Sequence, residues 1–261
     1  METTGDSRNE DPQQAANGLP AQVAEVVGEV SESAEKPSRG RPLTAVARTA
    51  LARVTRRGVR IAGLGFRSGG RWLTAEVLAM APRLPVRDQA RLRAQFPGRS
   101  PEEIAEALIE GASRASAAVG ATVGVWSVLP IAPAFPAEVA TETLTLVGIE
   151  IKLIAELHEV YGLRPSGDLP SRMTAYVGAW ARRSGVALTP AGVALAIGSP
   201  LGRQLQRRLA ARASRSAVSL GPLLTGAVAG AFFNRRETRR LGNEIRDDLR
   251  RHSGFATDWP A

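Results

Sequence analysis

Apolar residues recur along this chain at three- and four-residue intervals, and no segment shows the sustained two-residue alternation of a half-buried strand. Over 43–59, Ala, Leu and Val alternate with Arg48, Arg53, Arg56, Arg57 and Arg60, which predicts a basic amphipathic helix. Gly58, Gly63, Gly65, Gly69 and Gly70 then predict a flexible connection, and 72–80 and 86–95 read as short helices around Pro82 and Pro85. Ser100-Pro101-Glu102-Glu103 is the clearest local signal. Ser100 caps, Pro101 suits the first helical turn, and Glu103 reaches back to complete a capping box. The helix it opens runs to about 125. A second long helix is predicted over 134–161, entered through Pro136 and stopped by Gly162 and Pro165, and a third over 173–183 ends at Gly185. Thr189-Pro190 and Ser199-Pro200 repeat the cap-then-proline pattern and start two more. Gly221-Pro222 precedes a short apolar helix, and Asn234 with Glu237 caps a final basic helix to 251. The fold class predicted is all-α, a multi-helix bundle with a helical hairpin of small residues at its core.

Residues 1–41 are different. They are rich in Glu, Gln, Ser, Asn, Gly and Pro and contain no aromatic residue. Such a segment gains too little apolar burial to offset its ordering entropy, which predicts a disordered acidic tail with at most a transient helix at 21–30. The organisation expected is therefore a tail (1–41), a basic helical lead-in (42–99), a helical domain (100–252) and a flexible end (253–261).

Charge sharpens the division. Residues 1–40 hold eight acidic against three basic residues, net −5, and the other 221 hold 17 acidic against 31 basic, net +14. A basic domain with an acidic tail points to an anionic partner, either lipid headgroups or nucleic acid, or else to a solvated surface screened by its own tail. The chain has no cysteine and two histidines, which removes disulfides, thiolate chemistry and histidine-rich metal sites. Its polar, acidic start lacks the basic and apolar regions of a secretory signal, so a cytoplasmic location is expected. No cofactor is indicated.

Three stretches carry no charge for 18 residues or more: 117–137, 185–202 and 216–233. All are built largely from Ala, Gly, Ser, Thr and Pro, which gain little in hydrocarbon. Ser116, Gly120 and Gly124 recur every four residues, as do Gly226 and Gly230. Such seams let two helices approach closely, either inside a soluble bundle or in a shallow membrane hairpin, and both readings stay open. Arg203, Arg207, Arg208 and Arg212 before the last stretch, and Arg235, Arg236, Arg239 and Arg240 after it, are the candidate contacts to an anionic surface.

Candidate chemistry is sparse. On the helix after Pro136, the sector holding Glu138, Glu142, Lys152, Glu156 and Glu159 reads as a solvated face. Glu150 and His158 fall on the apolar side, where a carboxylate and an imidazole are candidates for an acid and a base; the structural alternative is a helix–helix boundary, with each residue paired to a neighbour. The glycines match neither a Walker loop nor a dinucleotide fingerprint, and no serine lies in a nucleophile elbow. The scattered tryptophans and the two tyrosines offer no stacking platform, so nucleic acid is the weaker partner class.

Three passages, taken in order, resemble the EcsC family of bacterial proteins. They are the small-residue helix from Gly111 to Pro136, the helix end Ile154-Ala155-Glu156-Leu157-His158-Glu159-Val160-Tyr161-Gly162, and the glycine-rich run from Pro222 through Gly226 and Gly230 to Asn234. The resemblance covers roughly 102–250 and leaves out the acidic tail and the basic stretch before it. It implies a bacterial protein at or near the inner face of the cell membrane, since the family is named for a protein encoded beside transporter components. It supplies no catalytic residues. The functional expectation is a non-catalytic, membrane-associated helical protein that meets an anionic membrane surface or a membrane protein such as a transporter. The alternatives are a soluble hydrolase-like enzyme using Glu150 and His158, and a basic nucleic-acid binder.

Overall fold

The computed structural model describes residues 12–36, 40–65, 69–126, 135–183 and 224–253. These form eight α-helices: α1 (Pro12–Glu35), α2 (Leu43–Gly65), α3 (Gly69–Met80), α4 (Gln89–Gln95), α5 (Pro101–Trp126), α6 (Phe135–Val160), α7 (Leu169–Arg183) and α8 (Leu224–His252). A short three-ten turn at Ala81–Arg83 follows α3, and there is no strand among the described residues. The fold is all-α.

Side-chain chemistry sets the helix ends. At the start of α5, the Ser100 N–H donates to Glu103 Oε2 at 2.8 Å and the Glu103 N–H donates to Ser100 Oγ at 3.3 Å, the reciprocal pair of a capping box. Asp88 caps α4 by accepting from the Arg91 N–H at 2.9 Å, and Asp168 caps α7 by accepting from the Ser171 N–H at 3.0 Å. At the end of α6, Gly162 has φ +67°, and the Leu163 N–H reaches the His158 carbonyl at 3.0 Å. This is the Schellman closure that a glycine in the left-handed region permits.

Helix α6 is the axis of the bundle, and each of the other seven described helices packs against it. From Ala140 to Tyr161 every residue except His158 is buried. The core around it is built from Ile, Leu and Val, with Trp180 of α7 fully enclosed.

The acidic segment departs from the disordered tail expected over 1–41. Leu19, Val23, Val26, Val27, Val30 and Ala34 recur at helical spacing in α1 and are all buried in the same core as α5 and α6. That stripe supplies the apolar burial that composition alone hid. Residues 1–11 lie outside the described residues. Two further expectations change. Gly58, Gly63 and Gly65 belong to α2, and Gly69 and Gly70 to α3, so the flexible connection predicted across 58–70 is helical over most of its length. The short apolar helix and the capped basic helix expected around Asn234 are one continuous helix, α8, with Asn234 buried in its interior. The helices predicted to start at Ser199-Pro200 and Thr189-Pro190 lie outside the described residues.

α5 and α8 run antiparallel. Their backbones come closest at Gly120 and Gly230, where a Cβ on Gly120 would stand 2.7 Å from the Gly230 carbonyl oxygen and a Cβ on Gly230 would stand 2.7 Å from that of Gly120. One helical turn along α5, Ser116 Oγ lies 2.9 Å from the Thr238 hydroxyl. Gly124 and Gly226 are helical, but their surroundings lie outside the described residues. The Asn234 side chain also crowds a Cβ on Gly120, but the remaining obstructing atoms are backbone, so relief requires moving a whole helix. Gly120→Ala is expected to destabilise the fold by about 1–3 kcal/mol, the usual cost of overpacking, despite the better helix propensity of alanine. The control is Gly40→Ala, where a new Cβ meets nothing within 4 Å, and which should stay within about 0.5 kcal/mol. Urea midpoints of the two variants decide the matter; equal values would show that the seam is slack.

Candidate functional site

The spacing of α5 places Glu102, Glu106 and Glu110 one turn apart, and the antiparallel α8 lays Arg250, Arg246, Arg239 and Arg235 beside them. A ladder of ion pairs results. Arg235 Nη2 lies 2.7 Å from Glu110 Oε1, and Arg239 reaches Glu110 at 2.7 Å and Glu106 at 2.8 Å. Arg246 meets Glu106 at 2.6 Å, and Arg250 meets Glu102 at 3.1 Å. Most of these side chains are partly exposed, so each pair contributes little alone, but the set fixes the register of two helices. Arg240 pairs with Glu244 on its own helix at 2.8 Å.

The arginines singled out from sequence thus divide. Arg239 is held between Glu106 and Glu110 and Arg235 reaches Glu110 through one nitrogen, while Arg240, whose side chain is 72 % exposed, pairs with Glu244 on its own helix and still faces solvent. Arg236 is exposed, and no carboxylate among the described residues pairs with it. Arg203, Arg207, Arg208 and Arg212 lie outside the described residues. Sequence reasoning passed over the aromatic residues just before this cluster: Val228, Phe232 and Phe233 are 67, 59 and 45 % exposed. Two adjacent phenylalanines followed, after Asn234, by two arginines were the available signal.

An open cleft of about 840 Å³ runs beside the ladder. Glu103, Ala107, Glu110 and Arg114 of α5 form one wall, and Arg235 and Arg239 of α8 the other. Phe96 and Arg99 close one end, where the Arg99 guanidinium lies 5.6 Å from the Phe96 ring centroid.

Glu150 and His158 are not brought together. They are eight residues apart on one helix, about 12 Å along its axis at 1.5 Å per residue. Glu150 is buried and accepts from the Trp180 indole N–H at 2.6 Å, with the Thr238 hydroxyl 3.5 Å from its other oxygen. A polar chain Ser116–Thr238–Glu150–Trp180 therefore links α5, α8, α6 and α7. His158 sits edge-on to Tyr176, with ring centroids 5.1 Å apart, and its Nδ1 lies 2.7 Å from the Ile154 carbonyl. Burial holds its pKa below the usual histidine value, against the pull of that carbonyl. Both residues have structural partners, and no geometry here joins them as acid and base.

The sector of α6 read as a solvated face is buried instead: Glu142, Lys152, Glu156 and Glu159 are all enclosed, while the side chain of Glu138 lies outside the described residues. Their neighbours explain how. Arg87, between α3 and α4, donates from Nε to Glu156 Oε1 at 2.8 Å and from Nη2 to Glu156 Oε2 at 2.6 Å. The same guanidinium donates to both oxygens of Glu35 on α1 and to Gln95 of α4. Lys152 also pairs with Glu156. Burial opposes charge on Arg87, but the two carboxylates outweigh it and hold its pKa above the ordinary arginine value. Burial likewise opposes the Glu156 charge, and Lys152 and Arg87 hold that carboxyl below its usual value. Arg164, past the end of α6, donates to Glu159 at 2.7 Å. Among the described residues no group of three or more His, Asp and Glu side chains is placed to hold a metal ion, and no helix is long and apolar enough to cross a membrane.

No family model, curated protein or solved structure matches this chain.

Two expectations follow from these buried charges. Arg87→Met leaves Glu35 and Glu156 enclosed without their shared cation, and should cost about 3–5 kcal/mol in urea unfolding; a loss below 1 kcal/mol would mean that Lys152 and water suffice. The second concerns Glu76 of α3, whose Oε2 is buried with no hydrogen-bond partner among the described residues. Burial pushes its carboxyl from 4.5 up to about 7, so the folded state binds the proton more tightly than the unfolded chain. That contribution to stability is fully present below pH 4.5 and is lost as pH rises through about 7. Glu76→Gln should therefore match the parent at pH 4.5 and exceed it by up to about 3 kcal/mol at pH 8. Parallel stability curves for the two proteins across that range would overturn the assignment.

Proposed function

We propose that the protein is a non-catalytic, membrane-associated helical protein of the EcsC type. It works at the inner face of the cell membrane and holds to anionic lipid through the exposed face of α8. The observation that carries this reading is the order of side chains on that face. Val228, Phe232, Arg236 and Arg240 follow one another at four-residue spacing, apolar first and basic after. At 100° per residue they lie within a sector of about 120°. An exposed aromatic of this size gains about 1.5–3 kcal/mol on leaving water, and an arginine near an anionic surface about 1 kcal/mol. Two phenylalanines and two arginines together suit reversible attachment, with the rings at the level of the headgroups and the guanidinium groups snorkelling to phosphate. The +14 balance of residues 41–261 adds a long-range attraction that salt screens.

Co-sedimentation of the full chain with neutral and anionic vesicles tests the reading. The parent should bind anionic vesicles at low salt and release progressively as salt is raised. Phe232→Ser with Phe233→Ser should weaken binding about tenfold or more at any salt. Arg236→Gln with Arg240→Gln should weaken it on anionic vesicles only. A parent protein that stays in the supernatant with anionic vesicles at low salt would end the proposal.

A further inference from the structure

The cleft beside the ion-pair ladder has an imbalance that the fold itself does not use. All four of its carboxylates are committed. Glu35 is held by Arg87, Glu103 by Ser100, Glu106 by Arg239 and Arg246, and Glu110 by Arg235 and Arg239. Arg239 is committed with them, but Arg114 and most of Arg235 are not. Arg114 forms no ion pair among the described residues, and its Nε is shielded from water with no hydrogen-bond partner. Arg235 engages Glu110 through one nitrogen, which leaves most of its five N–H donors unused. A shielded guanidinium nitrogen with an unmade hydrogen bond is costly unless a ligand completes it.

The antiparallel register sets Arg114 and Arg235 at the same end of the cleft, since Glu110, one turn before Arg114, is the partner of Arg235. Along α8 the wall of the cleft continues into apolar surface. Val228, Phe232, Arg235 and Arg239 fall within a sector of about 60° at 100° per residue. Val228 and Phe232 are the exposed side chains at its apolar end. A polar pocket with spare guanidinium donors therefore opens directly onto an exposed apolar row.

We infer that this end of the cleft is a binding site for a single anionic phospholipid, the phosphate accepting from Arg114 and Arg235 and an acyl chain lying along Phe232 and Val228. The inference rests on the membrane reading above and makes it specific, because it assigns a headgroup pocket where that reading needs only a charged surface. Guanidinium pairs phosphate through two parallel N–H donors, so a phosphomonoester headgroup is the favoured form.

The test uses the full chain and dihexanoyl phosphatidic acid, which is monomeric in solution, followed by titration calorimetry. The short lipid should bind, and glycerol phosphate, which has the headgroup but no chains, should bind about tenfold more weakly or worse. Arg114→Gln should weaken the short lipid about tenfold or more while melting like the parent, since Arg114 supports no ion pair among the described residues. Phe232→Ser provides a second variant, on the exposed surface, that should lose the contribution of the chain alone. Arg236→Gln, outside the cleft, should leave the short lipid bound as in the parent. Equal binding by the parent and Arg114→Gln, or glycerol phosphate binding as tightly as the lipid, would overturn the site. A parent that sediments with anionic vesicles yet takes up no short lipid would retain the attachment and remove the pocket. Uptake of the short lipid without sedimentation would do the reverse.

Discussion

A helix enclosed on every side has no face on which to leave a charge unmatched, and α6 is such a helix. It carries Glu142, Glu150, Lys152, Glu156 and Glu159 through the middle of the bundle. An uncompensated ion there would cost several kcal/mol, so the placement of its neighbours follows from supplying partners. Arg87 answers Glu156 and brings Glu35 and Gln95 with it, which ties α1 and α4 to the axis. Arg164 folds back onto Glu159. Glu150 is met by Trp180 and, more loosely, by the hydroxyl of Thr238, so α7 and α8 each present a donor where the axis has an acceptor. Arg87 crosslinks the elements before α5 to the centre, and this is why a segment as acidic as α1 is part of the core.

The pairing of α5 with α8 rests on a different constraint. Two glycines remove the side chains that would hold the backbones apart, and the resulting approach brings Ser116 against Thr238 on one side and the acidic row of α5 against the basic row of α8 on the other. Close approach and the ladder support each other. Without the glycines the arginines would reach less far, and without the ladder the helices could slide by a turn.

α8 consequently has two roles along its length. Its later turns spend the charge of Arg239, Arg246 and Arg250 inside the molecule, on Glu102, Glu106 and Glu110, so the strongly basic composition overstates the charge offered to a partner. Its earlier turns expose Val228, Phe232 and Phe233 with Arg236 beside them. The functional proposal depends on this contrast between spent and unspent charge rather than on net charge.

The sequence by itself determined the helical class, the capping box at Ser100–Glu103 and the glycine stop of α6, because each depends on residues within four or five positions of one another. Helical spacing also identified small-residue seams, and Gly120 and Gly230 meet in the fold. What the tertiary structure decided is which charges are buried. Glu156 and Glu159 follow the periodicity of a solvated face, and besides Lys152 on the same helix it is Arg87, 69 positions earlier, and the return of Arg164 that make their enclosure tolerable. The same holds for α1, whose valines predict a helix of marginal stability until α5 and α6 cover them. It holds again for Arg235 and Arg239, which read as a free basic cluster until α5 lies alongside. Local patterns report local hydrogen bonding and amphipathicity; desolvation and ion pairing depend on which distant segment covers a surface, and the spacing of residues along one helix carries no record of that.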